Sequence, residues 1–371
     1  MKILLKIFDL LINIIYLPFK LLKVKNKVTF ISRLSNNIPL DYKLIVDELS
    51  QKKDLNIVIL CSKLYKIRIS TIFKAAFFSI KSVYHIATSK VVVIDTYNMA
   101  VSMLRHKKSL KVMMTWHSLA AVKKFGYQTI GMESGWSPTL ATGLKMHKNY
   151  DAILSGSEEM TKYFSLAFNY PESYFLNIWL PRIDYLFENK DVIKKRIKKE
   201  YPNLLKKKVI LYAPTYRTGE NDNTQNLIDT TDFSKYNLVI KAHMRQDLDF
   251  NKDSVYTCKK FKAIELLTVA DYLITDYSAI SIEACVLDVK TFYYLYDLEE
   301  YERTTGLNID LYKEMPGYTF KEINELYQKM NESNYNMKVL EAFKIKYGTS
   351  KENNSANLIA KQISDWMQEV K

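Results

Sequence analysis

The sequence is poor in the residues on which several classes of protein depend. It has only three cysteines, nine glycines and eight prolines in 371 residues. The cysteines, Cys61, Cys258 and Cys285, are far apart and form no C-x-x-C pair. This spacing argues against a disulfide framework and a structural zinc site, and it is typical of a reducing compartment. The low glycine and proline content excludes collagen-like and low-complexity chains.

The motifs of several enzyme classes are missing as well. The chain has five histidines and no H-E-x-x-H pattern, so a metal-centred mechanism has little support. It has no G-x-x-x-x-G-K-S/T, no G-x-G-x-x-G and no G-x-S-x-G motif. These absences disfavour a P-loop kinase, a standard dinucleotide enzyme and an α/β-hydrolase.

The chain does have enough apolar residues for a core and a large excess of positive charge. Its 371 residues suit two domains, and 48% of them are hydrophobic, which excludes a globally disordered chain. Lysine and arginine total 54 against 40 acidic residues, for a formal net charge of +14. Such a charge indicates an anionic partner, namely a phosphorylated substrate, an acidic membrane surface or nucleic acid. A solvated basic surface is the alternative.

The amino-terminal residues predict an amphipathic helix with a broad apolar face. Asp9 and Asn13 interrupt the apolar run that a transmembrane span needs, and no small-residue cleavage site marks a secretory signal. We therefore expect residues 1–27 to lie on an anionic membrane, with the lysines towards lipid phosphates, as part of a peripheral protein of the cytoplasmic face of the plasma membrane. A helix buried against the rest of the protein is the alternative. The polar residues recur at steps of three and four, on one side of the helix: Lys2, Lys6, Asp9, Asn13, Tyr16 and Lys20.

The body of the chain alternates short apolar runs with helical stretches. The runs are continuous rather than alternating in polarity, which is typical of parallel strands covered on both faces. Strand–helix alternation over this length predicts an α/β protein with two doubly wound domains. The predicted strands are residues 28–32, 55–61, 91–97, 111–117, 152–157, 208–214, 237–243, 271–276 and 290–296.

A strongly basic stretch, residues 190–208, marks the predicted boundary between the domains. Its pattern favours one charged helix with a solvated face, and a second contact with anionic lipid is the sharper alternative. It lacks the interleaved aromatic residues of a nucleic-acid arm, so we expect no nucleic-acid partner. The expected divisions are residues 1–27, an amino-terminal domain over 28–187, a carboxy-terminal domain over 188–350 and a helix over 351–371.

Parallel α/β sheets bind ligands outside the carboxyl ends of their strands, so the residues that follow each strand are the candidates. Asp276 ends one strand, and Ser278 is a good N-cap for the helix predicted after it. A helix start there directs backbone N–H groups and the positive end of the helix dipole at the crevice, which makes a phosphate site with Ser281 as a further donor. An ordinary capped helix is the alternative.

Two other strand ends in the second half carry cationic or basic side chains. Thr215 and Arg217 follow one strand, and an arginine there offers a fixed fork for phosphate oxygens, with a surface ion pair as the alternative. Lys241 and His243 end the next strand. A histidine beside a lysine, in a domain with two other phosphate-type patterns, favours a site residue over a structural one.

In the first half, one histidine stands at a strand end. His117 follows an apolar run, where a neutral imidazole could take a proton from an acceptor hydroxyl. Lys123 and Lys124 come after it in a segment that we predict to be helical. The remaining histidines, His85, His106 and His147, have no such placement and are expected to be structural or surface residues.

Taken in order, these motifs resemble the CDP-glycerol glycerophosphotransferase family, the teichoic acid primases and polymerases of Gram-positive bacteria. The combination of YAPTYR, then K-x-H, then TDYS at these spacings is more specific than any one of them. The resemblance covers roughly residues 90–345 in the family's order. Its motifs are WHSLAAVKKFG (116–126), LPRIDYLF (180–187), YAPTYR (212–217), KAH (241–243), ITDYSAISIEA (274–284) and DLEEYERTTGLNIDLYKEMPG (297–317).

The resemblance implies a GT-B fold, two Rossmann-like domains with the active site in the cleft, and membrane association. It implies transfer of a glycerol or ribitol phosphate from a CDP-activated polyol to a hydroxyl of a lipid-linked, undecaprenyl-type acceptor, with release of CMP. No metal or other cofactor is expected. A glycosyltransferase of the same fold that uses a nucleotide sugar, and a non-catalytic membrane scaffold, are the alternatives.

The resemblance also assigns roles to residues by position. His117 is the expected base, and His243 and Arg217 are the other expected catalytic residues, in contact with the donor's diphosphate. Glu283 is expected to meet the cytidine ribose. The residues expected to bind substrate are Thr215, Lys241, Asp276, Ser278, Ser281, Glu283 and Arg182.

Overall fold

The structure is a computed structural model, and the chain folds as two units. The structure describes residues 1–52, 54–63, 72–215, 217, 223–241, 254–332, 334–348 and 354–369. Unit 1 comprises Met1–Ser118, Phe125–Asp184 and Ser350–Lys371, and unit 2 comprises Leu119–Lys124 and Tyr185–Thr349. The short segment after His117 thus belongs to unit 2, and the carboxy-terminal segment belongs to unit 1.

Unit 1 contains a parallel sheet whose strands are mostly buried, which explains their continuous apolar runs. The strands are β1 (Lys27–Ser32), β2 (Asn56–Cys61), β3 (Val91–Ile94), β4 (Lys111–Met114), β5 (Ala152–Leu154) and β6 (Phe175–Leu176). Their spatial order is β2-β1-β3-β4-β5-β6. The chain reverses its direction across the sheet between β1 and β3, which is the switch point where such sheets bind ligands.

Unit 2 contains a second parallel sheet. Its strands are β7 (Lys208–Tyr212), β8 (Tyr236–Ile240), β9 (Val255–Tyr256), β10 (Tyr272–Thr275), β11 (Lys290–Tyr294) and β12 (Thr319–Phe320). The order β12-β11-β10-β7-β8-β9 is that of a dinucleotide-binding Rossmann sheet, with the switch point between β7 and β10. The α/β prediction of two doubly wound sheets is therefore confirmed.

Helices connect and cover the strands. In chain order they are α1 (Lys2–Leu21), α2 (Leu40–Leu49), α3 (Ile72–Thr88), α4 (Met99–Met103), α5 (Pro138–Gly143), α6 (Glu158–Phe168), α7 (Arg182–Glu188), α8 (Lys190–Glu200), α9 (Thr224–Thr230), α10 (Ala263–Leu266), α11 (Ile280–Val286), α12 (Leu298–Thr304), α13 (Leu311–Glu314), α14 (Ile323–Asn331), α15 (Met337–Tyr347) and α16 (Ser355–Glu369). Helix α16 packs against α2 within unit 1.

All nine predicted strands are present, and most end two or three residues earlier than the apolar run suggests. The three strands that the sequence did not predict, β6, β9 and β12, have two residues each and lie at the edges of the sheets. Such short segments carry no detectable periodicity.

The basic stretch forms α8 as predicted, because only Ile193 and Ile197 are buried and the charged residues stay in solvent.

Helix α1 packs on unit 1 through its polar stripe rather than its apolar face. Asn13 and Tyr16 are buried, whereas Leu4 and Ile15 are 70% and 66% exposed. The stripe therefore does not point to lipid along its whole length as predicted, since its central residues serve to dock the helix. None of the described helices has the length and hydropathy that crossing a bilayer demands.

The docking of α1 is specific because the Asn13 amide completes the end of α4. Its Nδ2 donates to the carbonyl of Met103 at 3.2 Å, and its Oδ1 accepts from the backbone N–H of Arg105 at 2.8 Å. Asp9 pairs with Lys145 at 2.7 Å. The bond to Met103 satisfies a carbonyl that the end of α4 leaves without a partner in the helix, and together these contacts make the polar side of α1 a fitted interface.

Candidate active site

In unit 2, functional side chains gather where β7 and β10 end, at the switch point. Asp276 follows β10, and its carboxylate accepts hydrogen bonds from Thr215, which follows β7. The Thr215 backbone N–H donates to Oδ1 and Oδ2 at 2.9 and 3.0 Å, and its hydroxyl donates to Oδ1 at 2.7 Å. Asp276 thereby fixes the loop after β7. Sequence reasoning placed both residues here, and the structure brings them together.

Arg217 lies beside them, and two carboxylates surround its guanidinium. Its Nε and Nη2 donate to Asp297 at 2.6 and 3.1 Å, and its Nη2 lies 2.9 Å from Asp276. Its Nη1 donates to the carbonyl of Thr215 at 3.0 Å. Burial lowers the pKa of Arg217, but the hydrogen bond to Asp297 and the two negative charges outweigh it, so the pKa is raised overall. The side chain is thus held as part of the frame, and its contact with a phosphate stays a prediction.

An aromatic pair supports this ion cluster. Tyr277 and Tyr301 stack with ring centroids 4.0 Å apart, and the Tyr277 hydroxyl donates to Asp297 at 3.1 Å. The Arg217 guanidinium lies over both rings, 5.3 and 4.9 Å from their centroids. The Arg217 guanidinium is therefore oriented both by cation–π attraction to the two rings and by hydrogen bonds to the two carboxylates.

The segment after His117 does not form the helix that the sequence predicted. It is irregular, and Lys123 makes an isolated antiparallel bridge with Leu307, while the Lys124 N–H donates to the carbonyl of Gly306 at 3.0 Å. Lys123 keeps an exposed side chain, yet its dense surroundings lower its pKa by desolvation, an effect that Asp276 opposes and Arg217 reinforces. Lys123 is thus a cation near Asp276 and Arg217 to which the sequence analysis assigned no role.

The helix after Asp276 begins later than predicted. Helix α11 starts at Ile280 with Ala279 in the N-cap position and no side-chain cap, so the prediction that Ser278 caps it is wrong. The Ser281 hydroxyl instead donates to the carbonyl of Ser278 at 2.9 Å. The physical reason is that the Ser281 backbone N–H also donates to the Ser278 carbonyl, three residues back, at 3.2 Å, so a tighter turn precedes the helix. Glu283 is buried within α11.

Lys241 follows β8 and is held at its strand end. Its backbone N–H donates to the carbonyl of Tyr212, and its Nζ donates to the carbonyls of Thr257 and Cys258, both at 3.3 Å. Burial lowers the pKa of Lys241. The predicted partner His243 lies outside the described residues.

In unit 1, a strained backbone presents His117 at the end of β4. Trp116 adopts a φ of 60°, a left-handed conformation that a bulky residue rarely takes. Its ring stacks on Phe125 at 4.9 Å and meets the edge of Phe168 at 5.2 Å. This aromatic packing holds the strained turn in place, so that the imidazole of His117 reaches solvent.

A hydrogen bond sets the tautomer of His117. Its Nδ1 lies 3.1 Å from the backbone carbonyl of Asp95, and because a carbonyl only accepts, Nδ1 carries the hydrogen. The basic nitrogen is then Nε2. This geometry suits the predicted role of a general base.

The side chain of Asp95 is an unpredicted feature of the same edge. It follows β3 and is 4% exposed, and neither carboxylate oxygen has a well-formed hydrogen bond within the described part of the chain. Burial raises its pKa to about 6, and the nearby Ser32 hydroxyl and Arg33 backbone N–H offset this only in part. A carboxyl group that titrates near neutral pH therefore lies beside the His117 turn.

Arg182 at the start of α7 braces that turn from another side. Its Nη1 and backbone N–H donate to the Asp41 carboxylate at 2.8 and 2.9 Å, and its Nη2 donates to the carbonyl of His117 at 3.0 Å. The structure thus places Arg182 with His117, where it supports the backbone, while its contact with substrate stays a prediction.

One signal in the sequence could have found the missed carboxylates. Asp95, Asp276 and Asp297 each come at the end of an apolar strand run, but Asp95 stood in no motif, and the motif that begins at Asp297 was assigned no site residue. Lys123 had no such signal, because its contact with residue 307 is distant in sequence. Among the described residues, no group of three His, Cys, Asp or Glu side chains could hold a metal ion.

Comparisons with known proteins agree with the fold of this chain. The solved wall teichoic acid polymerase TagF superposes with a TM-score of 0.75 at 18% identity, over 99% of this chain and 98% of that chain. A TagF variant soaked with CDPG gives a TM-score of 0.74 at 19% identity, over 99% and 97% of the two chains. The likeness shows the same fold.

Curated relatives are teichoic acid enzymes. A teichoic acid poly(ribitol-phosphate) polymerase of Bacillus spizizenii is 29% identical over 90% of this chain, which spans only 55% of that protein's length. A teichoic acid glycerol-phosphate primase of Bacillus subtilis is 29% identical over 75% of this chain and 74% of its own length.

The family model for CDP-Glycerol:Poly(glycerophosphate) glycerophosphotransferase matches residues 15–365. This range includes all of the motifs on which the predicted resemblance was based, and the prediction is confirmed. The chain belongs to the CDP-glycerol:poly(glycerophosphate) glycerophosphotransferase family.

Proposed function

We propose that this chain transfers glycerol phosphate or ribitol phosphate from a CDP-activated polyol to a hydroxyl of a lipid-linked, undecaprenyl-type acceptor and releases CMP. The product belongs to a teichoic acid or a related cell-wall or capsular polymer. The observation that carries the proposal is a family match over residues 15–365 together with an oriented histidine at one strand edge. The relatives named for ribitol-phosphate and glycerol-phosphate transfer support both polyols as candidates.

The reaction is an in-line displacement at phosphorus. The acceptor oxygen forms a bond to the phosphorus that carries the polyol, and the bond from that phosphorus to the bridging oxygen breaks. The bridging oxygen leaves as part of CMP. Nε2 of His117 takes the proton of the acceptor hydroxyl, a step worth typically about 10²–10⁴-fold in rate.

The donor's diphosphate is assigned to the strand ends of unit 2. Arg217 is saturated by carboxylates, so we assign it mainly to positioning the Thr215 loop. Lys123 and Lys241 are the described cations best placed to offset phosphate charge, one beside Asp276 and the other at the end of β8. Charge stabilisation of this kind is the main contribution a protein makes to phosphoryl transfer.

We also propose that the enzyme is peripheral, at the cytoplasmic face of the plasma membrane, and that α1 attaches it. A helix that docks by its polar stripe leaves its apolar face outward, and the strongly exposed residues there include Ile3, Leu4, Ile15 and Leu21. An exposed apolar surface of this kind is typical of an in-plane membrane helix.

The activity is tested by a donor screen. CDP-glycerol and CDP-ribitol are each incubated with the enzyme and a lipid-linked acceptor, and CMP release is measured, with UDP-sugars as the comparison and EDTA as a further arm. We expect CMP from a CDP-polyol, no release from UDP-sugars and no loss with EDTA, because we propose that no metal or other cofactor takes part. Nucleotide release only from a sugar donor would contradict the proposed reaction.

The attachment is tested by vesicle flotation. Leu4→Ser with Ile15→Ser removes two exposed apolar side chains that would each contribute about 1.5–3 kcal/mol when buried in lipid. Leu166→Ser with Ile345→Ser is the matched control, since these residues are 62% and 64% exposed on α6 and α15. We expect only the first pair to abolish flotation, and equal flotation of both would place the attachment elsewhere.

A further inference from the structure

A basic cavity of about 520 Å³ lies in unit 1 at the amino-terminal edge of the sheet, away from His117. The loops that precede β4 and β5 line it. Its volume lies in the range of about 300–1,000 Å³ that is usual for small-molecule sites. Neither the sequence motifs nor the family comparison assigns it a role.

The lining is strongly cationic. Its charged members are Arg105, Lys107, Lys108, Lys145 and Lys148, against the single carboxylate of Asp151. His106 also lines the cavity, but its ring bonds to the Val101 carbonyl and burial lowers its pKa to about 4, so it adds no charge at neutral pH.

The negative groups nearby do not balance these cations. The Asp151 carboxylate accepts from the backbone N–H of Val112 at 2.8 Å and lies 3.7 Å from the ammonium group of Lys111. Lys111 does not line the cavity, so Asp151 is paired with a cation outside it. Lys145 is paired with Asp9 of α1. Within the described residues, Arg105, Lys108 and Lys148 form no ion pair.

Positive charge extends from the cavity to α1. The pKa of Lys107 is lowered by desolvation and by the charge of Lys20 on α1. Its ammonium group is held there by the carbonyls of Leu22 and Ala87. An anion in the cavity would be attracted by the cations that line it, because an opposite charge favours the charged form of a lysine.

The position of the cavity beside α1 indicates where that anion comes from. The cavity residues Met103 and Arg105 bond Asn13, and Lys145 bonds Asp9, so the cavity adjoins the polar side of the helix. A helix in the plane of a membrane buries its apolar face about 5–10 Å into the boundary of headgroups and acyl chains. Its polar side, and the residues bonded to it, then lie at the level of the lipid phosphates.

We propose that this cavity binds the phosphate group of a membrane lipid whose headgroup has a net negative charge. The inference rests on the proposed attachment through α1 and adds a specific headgroup site to it. The same chemistry could be supplied by free phosphate, and the experiment separates the two sources.

The test uses the full chain and vesicles of phosphatidylcholine, with or without phosphatidylglycerol. Arg105→Gln, Lys108→Gln and Lys148→Gln are combined, because these cations make no ion pair whose loss would disturb the fold. We expect the triple variant to keep its melting temperature and to lose roughly 10²-fold in affinity for the phosphatidylglycerol vesicles, since each cation near an anionic surface contributes about a factor of five. Its affinity for neutral vesicles should not change.

A matched control separates a site from diffuse charge. Lys313→Gln, Lys338→Gln and Lys361→Gln remove the same charge from exposed positions on α13, α15 and α16. An equal loss in this control would overturn the cavity proposal. So would a triple variant that loses binding of millimolar inorganic phosphate in solution but keeps its affinity for anionic vesicles, because free phosphate would then be the ligand.

The same experiment distinguishes failure of the cavity from failure of the attachment. The pair Leu4→Ser and Ile15→Ser should lose binding to neutral and anionic vesicles alike. If the Leu4→Ser and Ile15→Ser variant still binds both kinds of vesicle, while the triple variant no longer prefers phosphatidylglycerol vesicles to neutral ones, the attachment through α1 is wrong. If the pair releases the protein and the triple variant keeps its preference for phosphatidylglycerol, the attachment stands and the cavity proposal is wrong.

Discussion

Two carboxylates occupy matching places in the two sheets and have opposite surroundings. Asp95 follows β3 and Asp276 follows β10, each beside the switch point of its sheet. Both are almost fully buried, 4% and 2% exposed. Asp276 accepts from Thr215 and pairs with Arg217, whereas Asp95 has no well-formed partner among the described residues.

The difference shows that burial alone does not decide what a carboxylate does. A buried carboxylate with an arginine and a hydroxyl is a rigid anchor for the loop that carries them. A buried carboxylate without such partners has a raised pKa, and the pKa of Asp95 is raised to about 6. The strand ends of unit 2 thus form a fixed frame, whereas those of unit 1 hold a solvent-exposed imidazole beside a buried carboxyl group with a raised pKa.

The largest expected effect separates the chemistry in unit 1 from the frame in unit 2. His117→Ala removes the proposed base, and we expect kcat to fall by about 10²–10⁴-fold while the dissociation constant of the CDP-polyol changes only a few-fold. Single-turnover kinetics and donor-binding calorimetry measure the two quantities. His117→Asn is the control, since its amide can still donate to the Asp95 carbonyl but has no basic nitrogen. Normal turnover by the asparagine variant would mean that His117 only positions the loop.

The second largest effect removes the cation from the unit 2 frame. Arg217→Ala leaves the buried Asp276 and the partly buried Asp297 without their cation, which should cost about 3–5 kcal/mol of stability and loosen the donor site. Chemical denaturation and donor binding measure these losses. Arg217→Lys keeps the charge without the fork and should recover only part of both. Full stability of the alanine variant would show that the ion cluster does not hold the strand ends.

The third effect concerns the pH dependence that Asp95 imposes. Its folded pKa of about 6 lies above the ordinary value of 3.8, so the folded state binds the proton more tightly than the unfolded state. The favourable contribution is present below pH 4 and is lost as pH rises to 6, which amounts to about 3 kcal/mol. Asp95→Asn lacks this titration. Its stability relative to wild type, measured by urea unfolding at pH 4.5, 6 and 8, should therefore increase with pH, and a constant difference would contradict the assignment.

The fourth effect concerns the contrast between Arg217, whose guanidinium is already bonded to two carboxylates, and the exposed Lys123. Lys123→Met should raise KM for the CDP-polyol about 10-fold, equivalent to ~1.4 kcal/mol, and leave kcat nearly unchanged. Initial-rate kinetics measure both parameters. Lys124→Met is the matched control, because its side chain packs beside Gly306, and an equal change in the two variants would argue against a donor contact by Lys123.

The smallest effect concerns the start of α11. Ser278→Ala should change stability by less than about 0.5 kcal/mol, because Ala279 holds the N-cap position. Ser137→Ala, which removes a hydroxyl that accepts from the Leu140 N–H at 3.3 Å, should cost about 1 kcal/mol. Thermal unfolding compares the two variants. A larger loss at Ser278 would show that its hydroxyl does cap the helix.

Much of the fold and part of the candidate site could be predicted from local patterns. Continuous apolar runs identified every strand longer than two residues, and the rule that ligands bind at strand ends pointed to Thr215, Asp276 and His117. The partners of these residues could not be predicted in the same way. Asp297 lies 80 residues from Arg217, and no local pattern links them.

For α1 as well, local pattern predicted the helix, whereas its orientation depended on distant residues. Its period of three and four residues was visible, and so was its amphipathic character. Which side faces the protein depended on the last carbonyls of α4 and the N–H of Arg105, which needed polar partners. A hydrogen-bonding demand of a distant element therefore decided that the polar stripe turns inward.

The sequence by itself determined the two parallel sheets, the family and the residues at the strand ends, because these depend on periodicity and on motifs that are local in the chain. Tertiary structure alone decided that Arg217 is enclosed by carboxylates, that Asp95 has no such partner and that Lys123 joins unit 2. The reason is physical: the charge state and the partners of a buried group are set by neighbours that the fold supplies, and neighbours in space are not neighbours in sequence.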